Sequence, residues 1–175
     1  MFKKILITGI TGFVGSHMAD YLINKNLIIY GIKRYHLSRI DKIKHIFDKI
    51  KWIDCDLTDS VSTQKMIKDL NPDIIFHFAA ESFVSPSWNH PHRYMSVNYN
   101  GTLNILEGMK NINSKAKILI PGSGEEYGFL QKNQMPIHEK TELNPVNPYA
   151  VTKVAQDFIS NVYSAQNNKY VSQIH

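Results

Sequence analysis

The strongest chemical signal lies near the end of the chain, in NPYAVTK, where Tyr149 and Lys153 stand four residues apart. Asn147 suits a helix cap and Pro148 a first helical turn, so both side chains project from one helix face. An ammonium beside a phenol stabilises the phenolate, bringing tyrosine toward a pKa usable for exchanging a proton with a hydroxyl. Upstream, GSGEEYG (122–128) follows an apolar run and supplies Ser123, whose hydroxyl can bond the same substrate oxygen. Taken singly, a Tyr and a Lys at this spacing describe many amphipathic helix edges. Their order, after a glycine loop and a post-strand serine, makes acid–base chemistry the better reading.

The glycine loop is TGITGFVGS (8–16), with glycines at 9, 12 and 15. Gly9 permits a sharp turn, Gly12 lets backbone approach a pyrophosphate, and Gly15 lets helix and strand pack closely. The helix that follows offers free N–H groups and a positive dipole end to phosphates. An acid at the end of the second strand would bond the adenosine-ribose hydroxyls of NAD. GIKRYH (31–36) has instead Lys33 and Arg34. A guanidinium grips a 2′-phosphate bidentately, so the loop points to NADP, with NAD as the alternative.

These residues need a scaffold, and the hydrophobic pattern supplies one. KKILIT (3–8) is a short apolar run, as in a strand buried on both faces of a parallel sheet. A helical pattern through Phe13, Met18, Tyr21 and Leu22 follows, then strand-like LIIYGI (27–32). The alternation continues through HIFDKIKWIDCDL (45–57), a helix from Ser62 to Leu70, a central strand IIFHFAA (74–80), a helix over 100–111 and the strand AKILIPGS (116–123). Strands alternating with helices build a doubly wound α/β domain of Rossmann type, a parallel sheet with helices on both faces. Its ligand crevice lies at the carboxyl ends of the strands, near Gly9, Arg34, Asp56, Ala80 and Ser123. The whole chain, 1–175, reads as one such domain.

Composition sets the outer bounds. The 175 residues are 43% hydrophobic and 20% charged, ordinary for a globular domain. The formal charge of +5 comes from lysines scattered along the chain, among them Lys3, Lys25, Lys42 and Lys110. A nucleic-acid face would cluster them with interleaved aromatics, so no nucleic-acid partner is expected. The single cysteine, Cys55, excludes an internal disulfide and a thiolate metal cluster, and a cytoplasmic setting follows by default. His90 and His92 lack acidic company, so no metal is expected. No apolar stretch is long enough to span a bilayer, and the chain reads as soluble. His77, inside an apolar strand, reads as a satisfied core histidine, and Glu126 as facing solvent or paired with a lysine. Ser82 and Ser85, after the Ala79-Ala80 strand end, suit either a substrate contact or a turn cap.

The glycine spacing in TGITGFVGS resembles the extended branch of the short-chain dehydrogenase/reductase family. Ser123 and Tyr149-x-x-x-Lys153, in that order, are similar to the Ser-Tyr-Lys triad of the same family. CDLTDS (55–60), NPDIIFHFAAESFVSPSW (71–88), VNYNGTLNILEG (97–108), GSGEEYG and LNPVNPYAVTKVAQD (143–157) are similar to the branch of NAD(P)-dependent epimerases and dehydratases that holds the GDP-mannose 4,6-dehydratases and GDP-4-keto-6-deoxymannose reductases. The resemblance implies cofactor contacts from Gly9, Thr11, Gly12, Phe13, Val14 and Gly15, from Arg34, and from Asp56 and Leu57 at the adenine edge. It adds Ala79 and Ala80 where the strand end lets the cofactor pass, and Tyr149 and Lys153 themselves. Ser123, Glu125, Tyr149 and Lys153 are the implied catalytic set, Glu125 matching the glutamate that removes a proton at carbon 5 of the sugar. Gly124 stands where dehydratases often carry Ser or Asp. The implied activity is a GDP-mannose 4,6-dehydratase acting on a GDP-sugar, with a reductase or an epimerase of the same family as alternatives and a non-catalytic NADP-binding fragment as a third. Family members form homo-oligomers, dimers or tetramers, and continue into a smaller substrate lobe. This chain stops within strand-like YVSQI at Gln173-Ile174-His175, so most of that lobe is expected to be absent.

Overall fold

A computed structural model describes residues 3–167 and 171–174. Six parallel strands form one sheet in the order β3-β2-β1-β4-β5-β6, with β1 at Lys3–Thr8, β2 at Leu27–Lys33, β3 at Lys51–Asp54, β4 at Ile74–His77, β5 at Lys117–Pro121 and β6 at Val171–Ile174. Strand order reverses between β1 and β4, which pair directly from Ile5↔Ile74 to Thr8↔His77. A crevice therefore opens above their carboxyl ends, the usual ligand site of a doubly wound sheet.

Alternation along the central strand divides the interior in two, because successive side chains point to opposite faces. Ile5 and Ile7 join Ile10, Ala19 and Leu22 on the face covered by α1 (Phe13–Leu22). Leu6 joins Ile75 and Ile118 on the other face, under α2 (Ser60–Leu70). Two short helices follow β4, α3 (Val84–Asn89) and α4 (Pro91–Tyr94), then a π-helical segment Met95–Asn100 that runs into α5 (Gly101–Asn111). Ile105 and Met109 of α5 complete the second core, with Ile159 and Tyr163 of α6 (Pro148–Asn167) packed on it.

The chain departs from the sequence expectation in several places; the strand expected over 74–80, for one, ends at His77. Of the apolar stretch 45–57 only Lys51–Asp54 is strand. Lys44–Lys49 winds into a 3-10 turn whose Ile46 closes the first core. α2 starts at Ser60, ahead of Ser62, because the Asp59 carboxylate accepts the N–H groups of Val61 at 3.0 Å and Ser62 at 3.3 Å. Residues 84–100, which show no helical periodicity, are helical nonetheless. Pro91 occupies a first turn, where its missing N–H costs nothing, and the Tyr94 hydroxyl donates to the Phe83 carbonyl at 2.5 Å. Among the described residues no helix is long and apolar enough to cross a membrane.

Candidate functional site

The loop after β1 uses its three glycines differently. Gly9 has φ +63°, and a Cβ there would lie 2.6 Å from the backbone of Phe78 and Ala79. Gly15 packs the helix onto the loop so tightly that a Cβ would lie 2.3 Å from the Gly9 carbonyl oxygen. Gly12 is under neither constraint: its φ of −80° suits any residue, and its only close neighbour would be the Gly9 oxygen at 3.1 Å. The turn itself is closed by Gly12 N–H donating to that oxygen at 2.9 Å. The N-terminus of α1 carries no side-chain cap. Its first residues, Phe13, Val14 and Gly15, line a cavity, and amides without a side-chain acceptor at a helix start suit an anion.

Two adjoining cavities share Gly9, Gly12, Phe78, Ala79 and Ala80 and form one elongated cleft across the strand ends. The first runs over β2 and β3 and is lined by Thr11, Lys33, Arg34, Ser38, Asp56 and Leu57. The second runs over β4 and β5 and is lined by Phe13, Val14, Gly15, Ser82, Tyr149 and Lys153. Every residue expected to touch a dinucleotide thus lies along one cleft. At the end of β2, Lys33 pairs with Asp54 on the neighbouring strand at 2.5 Å, whereas Arg34 beside it also lines the cleft. Ser38 orders that corner by accepting the Arg34 N–H at 2.9 Å. Asp56 holds Thr58 through one carboxylate oxygen, at 3.0 Å to its N–H and 2.9 Å to its hydroxyl.

The candidate acid–base residues are built on the start of α6. Asn147 caps the helix, its Oδ1 accepting the Ala150 N–H at 2.8 Å. Tyr149 and Lys153 are both buried, 8% and 4% exposed, and share the second cavity. The Tyr149 ring meets Tyr94 edge-on, centroids 6.3 Å apart. The Lys153 ammonium donates to the Pro121 carbonyl at 2.6 Å and to Gln156 Oε1. Burial pushes its pKa down to about 8, against the charges of Glu126 and Asp157, which raise it.

Ser123 and Glu125 sit in a 3-10 turn, Gly124–Tyr127, just after β5. The Ser123 hydroxyl oxygen accepts the Glu125 N–H at 3.2 Å and keeps its proton free to donate. Glu125 is exposed, and its Oε2 accepts from Asn147 Nδ2 at 2.8 Å. One asparagine thereby ties the carboxylate to the helix that presents Tyr149. Neither Ser123 nor Glu125 lines the two cavities, and Ser85, exposed on α3, does not either. Glu126 corrects the solvent-facing half of its expectation and leaves the lysine half: it is fully buried, its charge raises the pKa of Lys153, and its Oε1 accepts the Ser123 N–H at 2.6 Å in a capping box. The signal was present as Ser-x-x-Glu (123–126). Gln156 and Ser38, which also line the cleft, carried no motif.

His77 is the satisfied core histidine the sequence suggests. It is 2% exposed, with Nδ1 2.7 Å from Thr8 Oγ1 and Nε2 2.9 Å from Thr102 Oγ1. Burial, then the charge of Lys153, depress its pKa from 6.5 to about 3. The unfolded chain therefore takes up a proton that the folded chain refuses. The histidine's contribution to stability is full above pH 6.5 and falls as the pH drops from there toward 3, by up to about 1.4 kcal/mol per unit. The carboxylates with lowered pKa, Glu107 and Asp59, add to this only below their ordinary values of 4.5 and 3.8. Urea unfolding between about pH 6.5 and 5 isolates the histidine, and a flat profile there would contradict its neutral burial.

The family model for GDP-mannose 4,6 dehydratase matches residues 6–174. The chain belongs to the GDP-mannose 4,6-dehydratase family. It is 33% identical to a GDP-mannose 4,6-dehydratase of Yersinia enterocolitica over 96% of this chain and 47% of that protein. It is 32% identical to a UDP-glucose 4-epimerase of Lactobacillus helveticus over 89% of this chain and 46% of that one. Among solved structures, dTDP-glucose 4,6-dehydratase from Bacillus anthracis in complex with NAD superposes with a TM-score of 0.83 at 25% identity, over 98% of this chain and 53% of the other. The chain spans about half the length of the curated relatives it matches. Within the GDP-mannose 4,6-dehydratase family, then, it carries the cleft over the strand ends and, on α6, the Tyr149–Lys153 pair that lines it.

Proposed function

We propose that this chain supplies the NADP cleft and the proton-transfer residues of a nucleotide-sugar 4,6-dehydratase that converts GDP-mannose to GDP-4-keto-6-deoxymannose. The observation that carries the reading is the Asn147 bridge, which holds the Glu125 carboxylate beside the turn that presents Tyr149. A dehydratase needs a phenol for carbon 4 and a separate base for carbon 5, and these residues offer both.

In this scheme Tyr149 accepts the proton of the carbon-4 hydroxyl, with Ser123 donating to the same oxygen and the Lys153 ammonium supplying positive charge in the same cavity. A nicotinamide held in the cleft lined by Gly9, Gly12, Tyr149 and Lys153 would supply a hydride acceptor for carbon 4 and a hydride donor for carbon 6, with carbon 5 regaining a proton. The carbon-4 ketone acidifies the hydrogen at carbon 5, and Glu125 removes that proton and passes it to the carbon-6 hydroxyl, which departs as water. One observation favours the reductase reading instead. Gly124 has no side chain to assist the departing hydroxyl, although nothing lies within 4 Å of where a Cβ would stand. As a reductase, the same Tyr149 would donate a proton to a 4-keto group.

Arg34 carries the preference for NADP, since Lys33 is already paired. A charge-assisted bidentate contact to the 2′-phosphate should favour NADP over NAD by roughly tenfold or more. Arg34→Asp should narrow or reverse that preference in titration calorimetry, and equal affinities in the unmodified chain would sink the idea. For the full-length enzyme we infer a homo-oligomer, dimer or tetramer, in the cytosol. An exposed apolar stripe of Val151, Phe158 and Val162 on α6, 45%, 58% and 48% exposed, supports the oligomer, and the lone buried Cys55 suits a reducing compartment. Supplying GDP-mannose and NADP to the chain joined to a relative's C-terminal half, and identifying the sugar product, tests the proposal. A 6-deoxy-4-keto sugar supports it; a product epimerised at carbon 4 overturns it.

A further inference from the structure

Gln156 stands one turn beyond Lys153 on α6 and lines the same cavity, only 2% exposed. Its amide is locked by a chain of partners whose protons can all be assigned. Thr102 Oγ1 lies 2.7 Å from the Asn98 carbonyl oxygen, which only accepts, so the single Thr102 proton points there. Thr102 Oγ1 must then accept from its two other neighbours, Gln156 Nε2 at 2.6 Å and His77 Nε2 at 2.9 Å. His77 consequently carries its proton on Nε2, and its Nδ1 accepts from the Thr8 hydroxyl at 2.7 Å. Thr8 Oγ1 in turn accepts the Ala79 N–H at 3.1 Å. With its NH₂ turned toward Thr102, Gln156 presents its carbonyl oxygen to the Lys153 ammonium. A flipped amide would set NH₂ against the ammonium and oxygen against the Thr102 lone pairs, two repulsions at once.

We propose that Gln156 is a positioning residue for Lys153: with the Pro121 carbonyl it holds two of the three ammonium protons and directs the third into the cleft. The Pro121 contact is 2.6 Å. This deepens the proposed function, resting on Lys153 as the partner of Tyr149, but the test needs neither cofactor nor sugar. A neutral acceptor stabilises the ammonium without cancelling its charge. Other groups facing Lys153 are Glu126 from the turn after β5, Asp157 from its own helix, His77 from β4, which is neutral, and Tyr149 in the same cavity. Burial outweighs the two carboxylates and holds Lys153 at about 8, so its charge near neutral pH is sensitive to each acceptor it keeps.

Lysine labelled with a heavy isotope at the ε-carbon reports this directly by NMR titration of the free chain, with Lys153→Arg identifying the resonance. The midpoint should lie near 8 in the unmodified chain. Gln156→Leu removes an acceptor from a buried ammonium and should lower the midpoint by about one pH unit or more. Gln156→Glu keeps the shape, adds a charge, and should raise it by a similar amount. Thr102→Val, with Gln156 retained, should lower it, because the amide loses its anchor. A residue that merely fills space would not shift the midpoint in opposite directions in Leu and Glu variants. An unchanged midpoint in both overturns the proposal; should the Leu variant fail to fold, an unmoved or lowered midpoint in Gln156→Glu overturns it alone. Failure of the chain to bind NADP would instead strike the proposed function and leave this titration standing.

Discussion

Tyr149→Phe is expected to slow oxidation at carbon 4 by about 10²–10⁴-fold, the usual cost of removing a general base. The experiment uses the chain joined to the C-terminal half of a GDP-mannose 4,6-dehydratase relative, since those relatives are about twice as long. The phenol is nearly enclosed, meeting Tyr94 edge-on, so losing one oxygen leaves the packing of α6 intact. Glu125→Gln should behave differently. Carbon 4 can still be oxidised, but the hydrogen at carbon 5 stays, so a 4-keto sugar and reduced cofactor accumulate together. Single-turnover absorbance of the reduced nicotinamide reports the stall. Normal turnover of Glu125→Gln on its own substrate would transfer the assignment to the reductase, which eliminates no water.

Gly12→Val should abolish dinucleotide binding while leaving the fold in place, and Gly15→Val should do the reverse damage. Gly12 has an ordinary backbone conformation and one close neighbour, so the space its side chain would take belongs to the cleft. At a hundredfold excess over Kd, NADP should stabilise the unmodified chain by about 2.7 kcal/mol, a melting shift of roughly 5–10 °C. Gly12→Val should show no shift with a baseline melting temperature close to the original. At Gly15 any Cβ would collide with the Gly9 carbonyl at 2.3 Å, and overpacking of this kind costs about 1–3 kcal/mol. A cofactor-induced melting shift that survives in Gly12→Val would mean the phosphate loop lies elsewhere.

What the sequence made legible was local. The glycine loop, the Asn147 cap, the Tyr149–Lys153 spacing and the buried strand runs each express their physics within a few residues. The three glycines nevertheless look alike in sequence, and it is the positive φ and the close approach of Phe78 and Ala79 that set Gly9 apart from Gly12. The helical stretch 84–100 stayed hidden because its prolines and polar residues break any periodic signal. It is anchored instead by contacts such as Asn98 Nδ2 donating to Thr152 Oγ1 at 2.9 Å, 54 residues away. Two adjacent glutamates look like surface, whereas the turn after β5 draws the second inward, where Glu126 caps Ser123 and its charge bears on Lys153. The Gln156 network was invisible for a related reason: its members come from β1, β4, α5 and α6, and no spacing rule links them.

The pairing of β1 with β4 bears on how the chain is made. A ribosome releases Lys3–Thr8, Leu27–Lys33 and Lys51–Asp54 before Ile74–His77, so β2 and β3 can dock on one side of β1 while its other edge has no partner. At typical elongation speeds that edge, the apolar ILI of residues 5–7, stays unpaired for on the order of seconds. Open apolar edges are templates for pairing with other chains. The nascent chain is therefore most exposed to misassembly midway through translation, and chaperone capture or slow codons would matter most between residues 54 and 77.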